Sequence, residues 1–106
     1  MARAIGLALT ATPLTAAEAV NWGMIWKSYA DEELLSAAQQ LTSSLSAGPT
    51  LALAATKMLM QQAGTRDFDT QLDFEAVTQN SCAKSRDYAE GVQDFFEKRE
   101  AKYEGR

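Results

Sequence analysis

Phe95, Lys98 and Arg99 are the residues whose types and spacing come nearest to ligand chemistry. A ring presented beside a cation suits an adenine and its phosphate, by stacking plus charge. The same cluster has a structural reading. Phe95 is then a core side chain, Lys98 pairs with Asp94 one turn earlier, and both cations suit a helix C-terminus. On the residues alone the structural reading weighs more. For acid–base work only carboxylates are available, and Glu18, Glu75 and Glu90 are the ones within amphipathic segments. A general acid or base needs a pKa raised by burial, which a sequence does not display. Glu18 has a capping role and Glu90 can pair with a nearby cation, so the structural reading is preferred for each.

Other chemistries are excluded more firmly. The chain has no histidine, hence no imidazole base or metal ligand, and no metal site is expected. Its single cysteine, Cys82, has no second thiol to pair with and reads as a small helix residue. Gly48-Pro49-Thr50 lacks the lysine and spacing of a phosphate loop. Ser, Thr and Cys nucleophiles lack a neighbouring base. Trp22 and Trp26 read as packing anchors rather than ligand contacts. With 10 basic against 14 acidic residues and a net charge of −4, the chain offers no basic stripe for nucleic acid. No apolar run approaches the roughly 18 residues of a membrane span, and no charged-then-apolar leader opens the sequence. A cytoplasmic protein with no membrane partner is expected.

The elements that would position these residues are helical. A chain of 106 residues makes one domain at most and buries about 60–70% of its unfolded surface. With 46% hydrophobic and 23% charged residues, wholesale disorder is not expected. Ala2 to Leu9 is helix-like without a capping residue before it, and Thr12-Pro13-Leu14 breaks it. Thr15-Ala16-Ala17-Glu18 is a capping box, and the helix it opens ends at a left-handed Gly23. Met24 to Tyr29 reads as an extended connector or a brief strand. Asp31-Glu32-Glu33 then opens a helix with Leu34, Ala38, Leu41 and Leu45 on one face.

Gly48-Pro49 closes that helix and starts another, with Pro49 in its first turn, so the two are predicted antiparallel neighbours. Leu51, Ala55, Met58, Leu59 and Gln62 mark the inner stripe of this next helix, which Gly64 ends. From Asp67 a further helix carries Phe68, Leu72, Ala76 and Gln79 on one face and Phe74 and Val77 on another, which suggests two packing partners. Ser85 or Asp87 caps the last helix, where Tyr88, Val92, Phe95, Phe96 and Arg99 recur. Gly91 inside it costs about 1 kcal/mol against alanine, so another backbone is expected to pass close. The fold class is all-α, with five to six helices and short connections.

Three stretches in order resemble one family. They are Leu14-Thr15-Ala16-Ala17-Glu18-Ala19 with Trp22-Gly23-Met24-Ile25; Gly48-Pro49-Thr50 with Thr56-Lys57; and Asp87-Tyr88-Ala89-Glu90-Gly91-Val92 leading to Phe95-Phe96-Glu97-Lys98-Arg99. Gly105-Arg106 resembles the usual family ending. The chain is similar throughout to the C-terminal portion of the enoyl-CoA hydratase/isomerase (crotonase) family. Trp22-Gly23-Met24-Ile25-Trp26 and Asp69-Thr70-Gln71-Leu72-Asp73-Phe74-Glu75 resemble the branch that isomerises ring-epoxidised phenylacetyl-CoA to its oxepin form.

The resemblance implies an isomerase or hydratase acting on a coenzyme A thioester, with no tightly bound cofactor. Two backbone amides form an oxyanion hole for the thioester enolate and a carboxylate moves the proton. In the family those parts lie in an N-terminal core, so residues 1–106 are expected to be a C-terminal region without catalytic competence of its own. Residues 1–23 would complete the core, 24–30 connect, and 31–106 form the lid and oligomerisation helices of a trimer or dimer of trimers. Phe95 would lie against a neighbouring subunit's adenine, Lys98 would contact its phosphate, and Phe96 would pack. The alternative is a stand-alone helical interaction or oligomerisation module without enzyme activity.

Overall fold

Local signals set several of the helix ends in this chain, whose computed structural model describes all of residues 1–106. There are six helices and no strand: α1 (Ala2–Thr10), α2 (Ala16–Asn21), α3 (Asp31–Ser46), α4 (Thr50–Ala63), α5 (Phe68–Cys82) and α6 (Arg86–Glu97). The residues group into two units, Met1–Ala38 and Gln39–Arg106.

In the first unit α1 begins at Met1 with no side-chain cap and ends at Ala11, whose φ of 51° is left-handed and whose N–H donates to the Leu7 carbonyl. The capping box then forms. Thr15 Oγ1 accepts from the Glu18 N–H at 3.2 Å, and Glu18 Oε2 accepts from the Thr15 N–H at 2.9 Å. α2 closes on Gly23 at φ 71°. The Gly23 N–H donates to Val20 and the Met24 N–H to Ala19, the bond pair of a Schellman motif. The Ile25 N–H also reaches the Ala19 carbonyl, so residues 22–26 bend back over the helix end. The brief strand offered as an option for Met24–Tyr29 does not form, because the cap takes the hydrogen bonds of its first residues. Trp22 is half-buried, with the Arg3 guanidinium 5.4 Å from its ring centroid and donating to its carbonyl at 3.0 Å. Trp26 is 71% exposed, with only the Lys27 ammonium over its ring at 4.5 Å. α3 carries Asp31, Glu32 and Glu33 in its first turn, where the helix dipole favours anions.

In the second unit Pro49 is the N-cap of α4, one place before the first helical residue. The missing N–H is harmless there for the same reason, since no intrahelical acceptor is available to it. Asp67 caps α5, its Oδ1 accepting from the Thr70 N–H at 2.9 Å. α4 packs along α5, and the groove between them is lined by Ala52, Ala55, Thr56 and Leu59 on one side and Thr78, Gln79 and Cys82 on the other. The close helix pair is therefore α4 with α5, not the α3–α4 pair that the Gly48-Pro49 turn suggests. Gly91 is approached by the Tyr103 ring rather than by a backbone: a Cβ there would lie 3.2 Å from the Tyr103 hydroxyl oxygen.

No apolar side chain is buried anywhere in the chain, and the one buried residue is Asp87, 3% exposed. Leu34, Leu41 and Leu45 of the α3 stripe are open to solvent. So are Leu51 and Met58 of the α4 stripe, and Phe68, Leu72, Phe74 and Val77 of α5. The helical period of each stripe is real, but a period says only that apolar residues share a face, not that the chain supplies what covers it.

Candidate functional site

The site is built at the C-terminal end of α6. Ser85 starts that helix, its Oγ accepting from the Tyr88 N–H at 3.1 Å. Of the two capping candidates, Ser85 is the cap and Asp87 has another role. α6 ends at Lys98, which takes the left-handed conformation (φ 53°, ψ 42°) with its N–H donating to the Asp94 carbonyl. The expected Lys98–Asp94 ion pair does not form; the two residues meet through their backbones. A left-handed residue reverses the chain, so the tail after Lys98 turns back along the helix.

Two carboxylates on one face of α6, at positions three apart, receive that tail. Glu90 takes the Arg99 guanidinium in a fork, Nη1 to Oε1 at 2.6 Å and Nη2 to Oε2 at 2.9 Å, and its Oε1 also accepts the Lys102 N–H at 2.8 Å. Asp87 accepts the Glu104 N–H on Oδ1 at 2.7 Å and the Gly105 N–H on Oδ2 at 2.9 Å, while its own N–H donates to the Arg106 carbonyl. The Arg99 Nε donates to Glu97 Oε2 at 2.6 Å. Hydrogen bonds from Arg99 and the Lys102 amide hold the Glu90 carboxyl down to about 2. Its partners Glu90 and Glu97 push the Arg99 guanidinium up.

Phe95 and Phe96 stand beside this clasp, each 77% exposed, with ring centroids 5.9 Å apart and planes at 77°. The reading of Phe95 as a core side chain is overturned, since nothing in the chain covers it. Phe96 is no more buried than Phe95. The end of α6 thus presents two exposed rings and an ammonium that makes no ion pair.

The remaining acid–base candidates are occupied. Glu18 sits in its cap, held below the usual carboxylate range by the Thr15 hydroxyl first and the Thr15 amide second. Glu75 accepts from Gln71 Nε2 at 2.9 Å. For Glu18 and Glu90 the shift is opposite to what a general acid at neutral pH requires. No cluster of His, Cys, Asp and Glu could hold a metal ion, and no helix is long and apolar enough to cross a membrane. The cavities are open grooves, among them one of about 420 Å³ between α4 and α5. Another of about 200 Å³ lies beside Pro49, Cys82, Tyr88 and Tyr103. The Asp87 clasp and Tyr103 were not expected from sequence. Their only signal there is a carboxylate three residues before Glu90 and a glycine at Gly105.

Comparison with known proteins accords with this architecture. The family model for enoyl-CoA hydratase/isomerase matches residues 1–106. The chain belongs to the enoyl-CoA hydratase/isomerase family. It is 44% identical over 105 residues to the 1,2-epoxyphenylacetyl-CoA isomerase of Escherichia coli K12, a match covering 99% of this chain and 40% of that protein. A probable enoyl-CoA hydratase of Rhodobacter capsulatus is 37% identical over 106 residues, covering 100% of this chain and 41% of the relative. Among solved structures, enoyl-CoA hydratase subunit I from Geobacillus kaustophilus superposes with a TM-score of 0.93 at 27% identity, over 100% of this chain and 41% of that one. The all-helical arrangement is therefore one that enoyl-CoA hydratase/isomerase structures contain, and the chain spans about 40% of the length of the relatives it matches.

Proposed function

We propose that this chain is the C-terminal lid and assembly region of an isomerase that converts ring-1,2-epoxyphenylacetyl-CoA to its oxepin isomer. The observation that carries the lid and assembly role is the absence of any buried apolar side chain in a chain with apolar stripes on several helices. Such helices need a surface to cover, and in an enzyme of this family that surface is the thioester-binding core and neighbouring subunits of a trimer or dimer of trimers. The 44% identity to an epoxyphenylacetyl-CoA isomerase supports the branch. Residues 24–30 act as connector and 31–106 as the covering helices.

Within this role Phe95 stacks on the adenine of coenzyme A held by a neighbouring subunit and Lys98 contacts its phosphate. The exposed ring and the ammonium without an ion pair support that assignment. Catalysis needs an oxyanion hole and a proton-moving carboxylate. The three candidate carboxylates are engaged, Glu18 in a cap, Glu75 with Gln71 and Glu90 in the clasp, which supports the view that residues 1–106 do not turn over substrate by themselves. The enzyme acts in the cytoplasm and needs no resident cofactor.

The test is to assay the complete gene product and the 106-residue chain in parallel on ring-1,2-epoxyphenylacetyl-CoA. Isomerisation by the complete protein and none by the chain is expected. Turnover by the chain above background overturns its dependence on a core, and a complete protein that hydrates simple enoyl-CoA thioesters but leaves the epoxide intact overturns the branch. The same exposed apolar faces also fit a stand-alone interaction module. A native gene product of 11.5 kDa that binds no thioester selects that reading instead.

A further inference from the structure

Lys98 is followed by a residue whose guanidinium Glu90 holds. Its left-handed conformation is one that residues other than glycine seldom adopt, and, as at Ala11, helix-end backbone bonds accompany it: the Lys98 and Arg99 N–H groups both donate to the Asp94 carbonyl. The side-chain contacts that hold the reversal come from the next residue. Arg99 has Nε, Nη1 and Nη2 all engaged, two of them by the Glu90 fork, and the Lys102 N–H shares Glu90 Oε1. The fork fixes where the chain goes immediately after Lys98, and so fixes the Cα–Cβ direction of Lys98 relative to the Phe95 ring one turn earlier. If Arg99 let go, α6 could extend or fray through Lys98, and the direction of the Lys98 side chain from the helix end would no longer be set. Asp87 holds the far end of the same tail and keeps the reversal from unwinding.

We propose that Glu90 is a positioning residue for coenzyme A: acting through Arg99, it fixes Lys98 in the reversed conformation that aims its ammonium, together with the Phe95 ring, at the adenine and phosphate end of the ligand. This rests on the assignment of Phe95 and Lys98 to that end of coenzyme A. A preset geometry of this kind improves affinity by removing the ordering that binding would otherwise require.

The test is a double-mutant cycle on the affinity of the complete protein for coenzyme A, measured by calorimetry with Lys98→Ala, Glu90→Gln and the pair. Lys98→Ala weakens binding about fivefold and Glu90→Gln about three- to fivefold, the scale of an exposed ion pair. The decisive readout is coupling: Glu90→Gln made in the Lys98→Ala background weakens binding no further, because Glu90 has nothing left to position. A merely structural role gives additive losses, and that result overturns the inference while leaving the role of Lys98 intact. A silent Lys98→Ala variant overturns the assignment of Lys98 itself and the inference with it. Where Glu90→Gln does not fold by circular dichroism, Arg99→Lys is used, which keeps the charge, loses the fork and carries the same two expectations.

Discussion

The Asp87 carboxylate accepts the backbone N–H of Gly105 at 2.9 Å, across 18 residues of sequence, and with the neighbouring Glu104 bond it ties the chain's last turn to the first turn of α6. The one buried residue in the protein is thus a charged one, and its burial is made tolerable by backbone donors on both oxygens. The α6–tail unit is held by polar contacts around two carboxylates rather than by an apolar core.

Asp87→Ala is expected to lower stability by about 2–4 kcal/mol, since it strips two charge-assisted bonds and leaves their donors unpaired. Urea unfolding measures the loss. Hydrogen exchange locates it: the amides of Glu104 and Gly105 lose protection while that of Thr70, donated to Asp67, keeps it. Uniform loss of protection across α5 and α6 would show instead that Asp87 supports the whole unit.

Acid is expected to weaken the clasp from the Glu90 side. Its carboxyl is held down to about 2 in the folded chain, against 4.5 for the ordinary glutamate. The folded state therefore binds fewer protons than the unfolded one between those values, and the stability this confers is complete above about pH 4.5 and is lost as the pH falls toward 2. Glu18, Asp67 and Glu97 are also held below their usual values, so they act in the same direction. The melting temperature should fall over this window, and Glu90→Gln should flatten the fall. An equally steep fall in the variant assigns the effect to the other carboxylates.

Two glycines with left-handed backbone should respond differently to alanine. Gly23 has φ 71° with open space where a Cβ would stand, so Gly23→Ala costs only the conformation, about 1–2 kcal/mol. Gly105 has φ 77° and its Cβ would meet Thr50 Oγ1 at 2.6 Å, so Gly105→Ala costs more than Gly23→Ala. Adding Thr50→Ala should return part of the difference. Thermal melts of the three variants check the order.

The exposed apolar faces predict self-association. Phe68 and Val77 on two faces of α5 and Phe95 and Phe96 on α6 stand open in the 106-residue chain, and exposed apolar surface of this kind seeks a partner. Sedimentation at increasing concentration should show mass above the monomer, and substitution of Phe68 and Val77 by serine should reduce it. A clean monomer at high concentration counts against the proposal that these faces are assembly surfaces.

Helix ends were legible because the residues that decide them lie within a few positions of one another. Thr15 and Glu18, Gly23, Asp67 and Ser85 each satisfy orphan backbone groups of the adjacent turn, and each stands where the sequence reading places it or within one residue. The family was legible for a related reason, since its motifs run in order along the whole chain. Burial was not legible. The stripes of α3, α4 and α5 announce a face, but which face meets polypeptide depends on contacts that no helical period encodes.

The sequence by itself determined an all-α chain of the enoyl-CoA hydratase/isomerase family, with its helix starts and stops and the Phe95–Lys98–Arg99 cluster at one helix end. Only the tertiary structure decided that α4 pairs with α5, that Phe95 is exposed, that Tyr103 lies against Gly91, and that Asp87 and Glu90 fold the tail back on α6. The physical reason is range. A cap is settled by atoms three or four residues apart, whereas the clasp joins groups 9 to 19 residues apart that a left-handed Lys98 must first bring together.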